Sequence, residues 1–308
     1  MKVLVVGASG FIGLPVAQAL VRAGHVVYGV TRLESKAKAL AAEEIIPIVA
    51  PVEDPSIWLP QVATLDVVIE AIGGPDVKVL SEKLLNAVTE AATQYRPPSA
   101  PKLAYIYTSG SWVHGSSRKH IISDTTPITQ SVDLVAWRPS LEQRVVTNPY
   151  LNGIVVRPAL LYGRSASVLG MLFKTAHEGK VKWFGTPGGR YSTIHQDDLG
   201  ELYRLAAEKA AIVGGQLFDA ANDSSESVDD ILQRLVEVSG AQGYEYIPPT
   251  NLFEKAIATT SLLLRPYLAR SLLGWQPRKA GLVDHLEIYY DAWKATAESA
   301  TLESDFIG

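Results

Sequence analysis

The chain has 308 residues, of which 47% are hydrophobic and 19% charged, a composition typical of an ordinary globular protein with a sizeable core. A formal net charge of −4 argues against a nucleic-acid-binding surface, and the absence of cysteine excludes disulfides, thiolate nucleophiles and cysteine-ligated metals. Since no apolar run approaches the length of a membrane span, about 18 residues, we expect a cytoplasmic protein that binds neither membranes nor nucleic acids.

Short β-branched runs alternate with helical patterns through the first half of the chain, which predicts parallel strands joined by crossover helices. The predicted strands are Val3–Val6, Val26–Val30, Ile45–Val49, Val67–Ala71 and Leu103–Thr108. The predicted helices are Phe11–Ala23, Lys36–Ala42 and Val77–Tyr95. Gly24 is a natural cap for the first helix, and the prolines after Tyr95 stop the third.

The second half begins with a predicted strand, Gly153–Arg157, that Pro158 follows directly. A predicted helix, Asp197–Lys209, and a short strand, Gln216–Asp219, come next. Fewer strand signals lie beyond this point. The remaining predicted helices are Val228–Ser239, Leu252–Leu264 and Gly281–Ala297.

A glycine-rich segment between the first strand and the first helix has the spacing G-x-x-G-x-x-G. Its three glycines suit a tight turn, close approach of the backbone to a pyrophosphate, and close packing of the helix on the strand. The free N–H groups of the helix start would hold the phosphates. This context predicts a dinucleotide-binding loop. The residues expected to contact the cofactor are Gly7, Ser9, Gly10, Phe11, Ile12 and Gly13.

The end of the second strand indicates which dinucleotide is bound. An acidic residue there would bind the ribose hydroxyls of NAD, but the chain has Thr31 and Arg32, and Glu34 comes two residues too late. Arg32 can bind a 2′-phosphate through paired N–H donors, and Lys36 can add a charge. We therefore expect NADP rather than NAD, although both cations could also be solvated surface residues.

Together these elements predict an α/β fold: a Rossmann-type doubly wound parallel sheet with a smaller, mainly helical C-terminal lobe. The expected dinucleotide-binding domain covers residues 1–165 and takes back about 192–222. The expected substrate-binding lobe covers 166–191 and 223–308. The substrate would lie between them, at the carboxyl ends of the strands.

Further segments resemble the extended and atypical short-chain dehydrogenases/reductases, in their branch of NAD(P)-dependent epimerases and dehydratases. The similarity runs over nearly the whole chain, and the segments that carry it are Asp66–Gly73, Tyr107–Gly115, Val156–Gly163, Ile194–Leu199 and Ala269–Trp275. The resemblance implies that strand ends near the nicotinamide supply more cofactor contacts. These are Ala71, Ile72, Gly73, Thr108, Ser109, Arg157 and Pro158.

The family's acid/base pair, a Tyr four residues before a Lys, has no counterpart in the corresponding stretch. One alignment places Trp137 and Leu141 at these positions, and the other places Leu134 and Arg138 there. Because a positioned acid/base contributes about 10²–10⁴ in rate, the ordinary mechanism is in doubt while the cofactor is not.

Other residues could take over the proton transfer. His114 is the first candidate because histidine titrates near neutral pH, and Tyr162 is the second, although a loop histidine and a packing tyrosine are the alternatives. Ser109 and Ser111 could polarise a carbonyl or could simply satisfy backbone groups at the strand end. We expect no metal, because no cluster of His, Asp and Glu has a ligand spacing.

The expected substrate-binding residues are mostly aromatic, with one evident anion-binding side chain. They are Trp112, His114, Trp183, Arg190 and Tyr191. A diphosphate normally needs several cations, so a small or hydrophobic carbonyl compound is as well supported as a sugar derivative. The aromatic residues could equally be core.

Two functions follow from these patterns. The first is an NADP-dependent oxidoreductase or epimerase-like enzyme that acts on a small carbonyl or hydroxyl compound or a sugar derivative, as a monomer or homodimer. The second is a sensor or regulatory protein that binds NADP(H) without turnover. The reason for this hypothesis is that the family's Tyr and Lys are missing.

Overall fold

The structure is a computed structural model that describes residues 1–305, with side chains described up to residue 297. The strands are β1 (Lys2–Val6), β2 (Val26–Thr31), β3 (Ile46–Val49), β4 (Val67–Glu70), β5 (Leu103–Thr108), β6 (Ser117–Ile122), β7 (Leu151–Pro158), β8 (Leu160–Tyr162), β9 (Val181–Phe184), β10 (Arg190–His195), β11 (Leu217–Ala220), β12 (Ser225–Ser227), β13 (Tyr244–Ile247) and β14 (Leu262–Leu264). The α-helices are α1 (Gly13–Arg22), α2 (Glu34–Ala42), α3 (Val77–Tyr95), α4 (Arg138–Val146), α5 (Leu169–His177), α6 (Gln196–Glu208), α7 (Ala210–Val213), α8 (Val228–Ser239), α9 (Leu252–Thr259) and α10 (Leu286–Asp305).

Seven parallel strands form the central sheet, in the order β11-β7-β5-β4-β1-β2-β3. The chain runs outward from β1 through β2 to β3, then crosses back to β4 on the other side of β1. This reversal creates a crevice at the carboxyl ends of β1 and β4, where ligands bind in open α/β sheets. The predicted Rossmann-type fold is confirmed.

Both faces of the sheet are covered by helices, because alternate side chains of the strands point to opposite faces. Val3 and Val5 belong to a core shared with α1 and α6, whereas Leu4 and Val6 belong to a core shared with α3 and α4. β5 is buried at every position, as expected for a parallel strand with helices on both sides. No helix in the described part of the chain is both long and apolar enough to cross a bilayer.

The C-terminal lobe combines α5, α8, α9 and α10 with short strands. These strands form small sheets in the orders β12-β10-β8, β13-β9 and β14-β6. A third hydrophobic core joins the first two of these sheets to the helices and includes Phe173, Trp183, Leu232 and Tyr290, whereas β14 packs in the core shared with α1 and α6. Because this core lies beside the crevice of the central sheet, the lobe supplies a wall to any ligand bound there.

Several boundaries differ from the predictions. The predicted helix over Leu252–Leu264 ends at Thr259, and Leu262–Leu264 is strand β14, because a short apolar run fits either structure until its pairing partner is known. The predicted helix Gly281–Ala297 begins only at Leu286. Pro158 lies within β7, paired with Ala220, rather than after the strand. The division into two domains stays a prediction.

Candidate functional site

The glycine-rich loop has the geometry that each glycine requires. Gly7 has a φ of 84°, and a Cβ there would lie 2.5 Å from the carbonyl oxygen of Ala71. A Cβ on Gly13 would lie 2.1 Å from the Gly7 carbonyl oxygen, so α1 packs directly on the turn. A Cβ on Gly10 would contact only the Gly7 carbonyl oxygen, at 3.1 Å, and Gly10 lines a cavity. Ser9 and Gly10 therefore border open space just before the start of α1, where a phosphate would fit.

A cavity of about 160 Å³ lies in front of this loop, and most of its walls were predicted. The predicted residues that line it are Gly7, Ser9, Gly10, Thr31, Arg32, Ala71, Ile72 and Gly73. The Ser9 and Thr31 hydroxyls are 2.9 Å apart across the end of β2. Arg32 is exposed beside them and forms no ion pair with any described residue. Sequence analysis missed Val52, Glu53 and Leu80, which come from loops and α3 rather than from a motif.

Some predicted cofactor residues are not brought to a cavity wall. Gly13 acts in packing, as described above, and Phe11 is half-buried away from the cavity linings. Lys36 is exposed on α2. The Thr108 hydroxyl donates to the Glu70 carbonyl oxygen and lies 2.7 Å from the Tyr203 hydroxyl, inside the core.

Arg157 is also turned away from the cavities, because it forms a buried ion pair. Its Nη2 lies 2.6 Å from Oε2 of Glu142 and its Nε lies 3.1 Å from Oε1, while Asp219 is 3.9 Å from Nη1. Burial lowers the pKa of Arg157, but the hydrogen bonds and charge of Glu142 outweigh it and raise that pKa above its ordinary value. Glu142 also accepts a hydrogen bond of 2.5 Å from the Ser109 hydroxyl. Ser109 is thereby coupled to a buried carboxylate.

A larger cavity of about 560 Å³ continues from the first one and shares Gly73 with it. The predicted residues that line it are Ile12, Gly73, Ser109, Ser111, Trp112 and Pro158. The remaining walls come from the loop after β4, the segment before α4, the exit of β7 and the C-terminal lobe. Residues of this second group include Lys78, Leu134, Trp137, Arg138 and Phe253. The two cavities adjoin at Gly73 along the crevice of the central sheet, and together they are called the cleft.

The two first candidates for proton transfer do not reach the larger cavity. His114 is only 1% exposed in its side chain, and its Nε2 lies 2.9 Å and 3.0 Å from the two carboxylate oxygens of Asp219. Tyr162 donates to the Ala280 carbonyl oxygen and accepts from Asn222. Burial raises the pKa of Tyr162 well above its ordinary value. Both side chains are hydrogen-bonded within the protein and lie outside the wall of the larger cavity, and their role in proton transfer stays a prediction.

Most of the predicted substrate-binding residues also lie outside the wall of the larger cavity. Trp183 and Tyr191 are hydrogen-bonded to each other at 3.0 Å and line a small void behind Trp112. Arg190 instead bonds to Ser225 and does not line these cavities. His114 lines a separate polar cleft that meets the larger cavity only at Leu134. Of the predicted set, Trp112 alone lines the larger cavity itself.

Residues 3–221 match the NAD dependent epimerase/dehydratase family. The chain belongs to this family.

Three curated proteins are similar over most of their length. An uncharacterized protein of Schizosaccharomyces pombe is 26% identical, covering 93% of this chain and 98% of the relative. A 4-hydroxy-2-methyl-3-oxo-4-farnesyl-3,4-dihydroquinoline-1-oxide ketoreductase of Stigmatella aurantiaca is 25% identical, covering 78% and 74%. A decarboxylating sterol-4-alpha-carboxylate 3-dehydrogenase of Dictyostelium discoideum is 24% identical, covering 68% of each chain.

Solved structures of similar fold carry either cofactor. A UDP-glucose-4-epimerase from Stenotrophomonas maltophila with bound NAD has a TM-score of 0.77 at 18% identity, covering 97% of this chain and 99% of that one. A human epimerase family protein with NADPH has a TM-score of 0.72 at 19% identity, covering 94% and 99%. At these identities the likeness shows the fold.

The residues that the two alignments place at the family's acid/base positions lie in different surroundings. Leu134 and Arg138 both line the larger cavity, whereas Leu141 is buried in the core between the sheet and α3. Arg138 Nη1 donates to the Tyr107 hydroxyl at 2.7 Å and to the Thr108 carbonyl oxygen at 2.9 Å. Trp137, which the other alignment places at the tyrosine position, lines the same cavity, and both alignments stay predictions.

The sequence contains one Tyr-x-x-x-Lys elsewhere, from Tyr290 to Lys294 on α10. Tyr290 is buried in the core of the C-terminal lobe, and neither residue lines the cleft. Its position therefore does not suit the family's acid/base role.

Proposed function

We propose that the protein is an NADP-dependent oxidoreductase that interconverts a carbonyl compound and its alcohol. The observation that carries this proposal is the pair of cavities, adjoining at Gly73, that border the glycine-rich loop and Ser109 at the reversal of the strand order. Membership of the NAD dependent epimerase/dehydratase family and the two relatives named as a ketoreductase and a dehydrogenase support the reaction class.

The residues of the smaller cavity fit a dinucleotide phosphate. The loop around Gly10 would hold the pyrophosphate on backbone N–H groups, and Thr31 and Arg32 would hold the adenosine ribose. Arg32 forms no ion pair with any described residue and can bind a 2′-phosphate bidentately; β2 itself ends without a carboxylate, and Glu53 lines the same cavity. When bound, the nicotinamide supplies or accepts the hydride.

The proton would pass through Ser109. Because the Ser109 hydroxyl donates to Glu142, its lone pairs remain free to accept from a substrate hydroxyl. In the oxidation direction the substrate proton moves to Ser109 Oγ as the serine proton moves to the Glu142 carboxylate; after the product leaves, Glu142 returns a proton to Ser109, which passes one to water in the cavity that it lines. The reduction reverses each transfer. Arg157 orients Glu142 through two hydrogen bonds.

Arg138 would act as a fixed cation beside the nicotinamide ribose. Its Nη1 is anchored by Tyr107 and Thr108, and its guanidinium carbon lies 4.7 Å from the centre of the Trp137 ring. These contacts hold the guanidinium in one place, so its remaining donors can position a ribose hydroxyl.

The proposal is tested by incubating the protein with NADPH and a panel of aldehydes and ketones, with NADPH absorbance followed over time. We expect oxidation that depends on both protein and carbonyl compound. A Gly10→Ala variant is the control, because its added methyl group would occupy the phosphate loop. Tight NADPH binding without oxidation by any member of the panel would contradict the enzyme proposal.

A second candidate function is an NADP(H)-binding sensor without turnover. The observation that favours it is Leu134, which one alignment places at the family's tyrosine position and which lines the cavity but cannot exchange a proton. Tight NADP(H) binding, no oxidation of NADPH, and capture of a partner that depends on NADP(H) would support this function instead.

A further inference from the structure

The larger cavity is apolar over most of its wall. Of its 21 lining residues, 13 carry apolar side chains, three are glycines and five are polar. A volume of about 560 Å³ is within the ordinary range for small-molecule sites, and part of it is needed for the nicotinamide. Since the nicotinamide end is fixed by Gly73 and Ser109, the opposite end must contact the substrate.

That opposite end is aromatic. Trp112 and Phe253 pack with ring centroids 6.0 Å apart, beside Leu160 and Val168. Behind them lies the void of about 20 Å³ that Trp183 and Tyr191 also line. The indole N–H of Trp183 donates to the Tyr191 hydroxyl, so its polar atom is satisfied within the wall. A ligand there would contact carbon atoms.

The charges of the wall do not suit a sugar diphosphate. Among the described residues that line the cavity, none is Asp or Glu, and the two cations are Lys78 and Arg138. Arg138 Nη1 is already bonded to Tyr107 and Thr108, and Arg190 lies outside the cavity. With the remaining donors of Arg138 assigned to the nicotinamide ribose, a diphosphate among these apolar side chains would find one lysine and would lose more hydration than the site returns.

We infer that the substrate is an uncharged apolar compound, of polycyclic or isoprenoid type, whose carbonyl or hydroxyl group lies at Ser109 and whose hydrocarbon part lies between Trp112 and Phe253. This inference rests on the proposed function for the identity of the reacting group. The hydrocarbon part is assigned by the cavity wall itself. A nucleotide sugar is excluded as substrate by the missing phosphate ligands.

The test is titration calorimetry of the NADP⁺-loaded protein with three probes: 2-decalone, farnesal and UDP-glucose. We expect 2-decalone or farnesal to bind at least about tenfold more tightly than UDP-glucose, because burying apolar surface drives the first two. UDP-glucose binding as tightly as either apolar probe, or no binding of any probe, would overturn the inference.

Variants locate the binding within the cavity. Phe253→Ala should weaken the apolar probes by about tenfold or more, and Phe253→Leu should keep them within about threefold. Leu252→Ala is the matched control, because Leu252 is 60% exposed on the same helix and does not line this cavity. Equal effects of Phe253→Ala and Leu252→Ala would overturn the assignment of this wall.

The same experiment separates this inference from the proposed function. NADP⁺ is titrated first, and a protein that fails to bind it would defeat the proposed function alone. The three probes are then titrated into the cofactor-free protein, where preference for the apolar probes would still support the cavity assignment. NADP⁺ binding followed by preference for UDP-glucose would defeat the inference and leave the oxidoreductase proposal in place.

Discussion

The hydroxyl of Ser109 donates a hydrogen bond of 2.5 Å to the carboxylate of Glu142, and the two residues lie 33 positions apart in the sequence. Ser109 lines the larger cavity, whereas Glu142 is 1% exposed and paired with Arg157. The serine thus connects the cavity to a buried carboxylate. In the proposed mechanism this pair takes the place of the family's tyrosine and lysine.

Ser109→Ala should lower kcat by about 10²-fold or more with little change in KM, because it removes the group that exchanges a proton with the substrate. The measurement is steady-state oxidation of NADPH with an active carbonyl compound from the panel. Ser111→Ala is the matched control, since Ser111 lines the same cavity without contacting Glu142. Equal losses in the two variants would contradict the role of Ser109.

Glu142→Gln should destabilise the fold by about 3 kcal/mol or more, because it leaves the buried Arg157 without its nearest opposite charge. Urea unfolding followed by circular dichroism measures the free energy of unfolding. Lys174→Ala serves for comparison: its pair with Glu178 is exposed, at 4.0 Å, and should contribute about 0.5 kcal/mol or less. A change for Glu142→Gln as small as that of the surface pair would argue against a buried ion pair.

Much of the fold could be predicted because its signals are local. Apolar runs separated by glycine and proline gave the parallel strands of the central sheet, and the glycine spacing gave the phosphate loop. The cavity walls at Ser9, Thr31 and Gly73 follow from these motifs. The short strands of the C-terminal lobe were missed, since three residues are too few to show a periodicity.

The buried pairs could not be predicted because they join distant positions. His114 is an apt candidate by residue type, but Asp219, 105 positions away, holds its ring. Arg157 matches a family motif, yet its guanidinium faces Glu142 rather than the cleft. The sequence likewise leaves two alignments for the acid/base stretch, and residues of both, Leu134 and Trp137, line the larger cavity.

Gly10→Ala should mainly weaken NADPH binding, whereas Gly13→Ala should mainly lower the free energy of unfolding. A methyl group at Gly10 meets little within the protein, so the free energy of unfolding should change by about 1 kcal/mol or less while NADPH binding weakens by about 100-fold. A methyl group at Gly13 would overlap the backbone of Gly7, so that variant should unfold at much lower urea concentration. Thermal or urea unfolding together with NADPH fluorescence titration checks both. Unchanged NADPH affinity in Gly10→Ala would contradict the assigned phosphate site.

Arg32→Ala should raise the Kd for NADPH by about tenfold to 100-fold and leave the Kd for NADH nearly unchanged, because only the 2′-phosphate contacts are lost. Lys38→Ala is the matched control: Lys38 is exposed on α2 and does not line the cavity. Fluorescence titration with both cofactors provides the comparison. If the ratio of the Kd values for NADPH and NADH is the same in Arg32→Ala as in the wild type, Arg32 does not bind the 2′-phosphate.

Stability should fall between pH 6.5 and 4 partly through His195. Its Nδ1 accepts a hydrogen bond from the Asp197 backbone N–H at the start of α6, which requires a neutral ring, and burial lowers the pKa of His195 from 6.5 to about 4. Since the unfolded chain then binds the extra proton first, acid favours unfolding over this range. His195→Asn keeps a capping acceptor but has no ring to protonate. Between pH 7 and 5 its free energy of unfolding, measured by urea unfolding, should fall by about 1 kcal/mol less than that of the wild type. Identical pH dependence in both proteins would contradict this assignment.

The central claim is that the cleft from Gly7 to Ser109 binds NADP(H). Titration calorimetry of the purified protein with NADPH and with NADH tests this claim most directly. We expect one binding site per chain and a lower Kd for NADPH than for NADH, with the binding of both weakened by about 100-fold in Gly10→Ala. Absence of binding heat for either dinucleotide, or the same binding in Gly10→Ala, would contradict the claim.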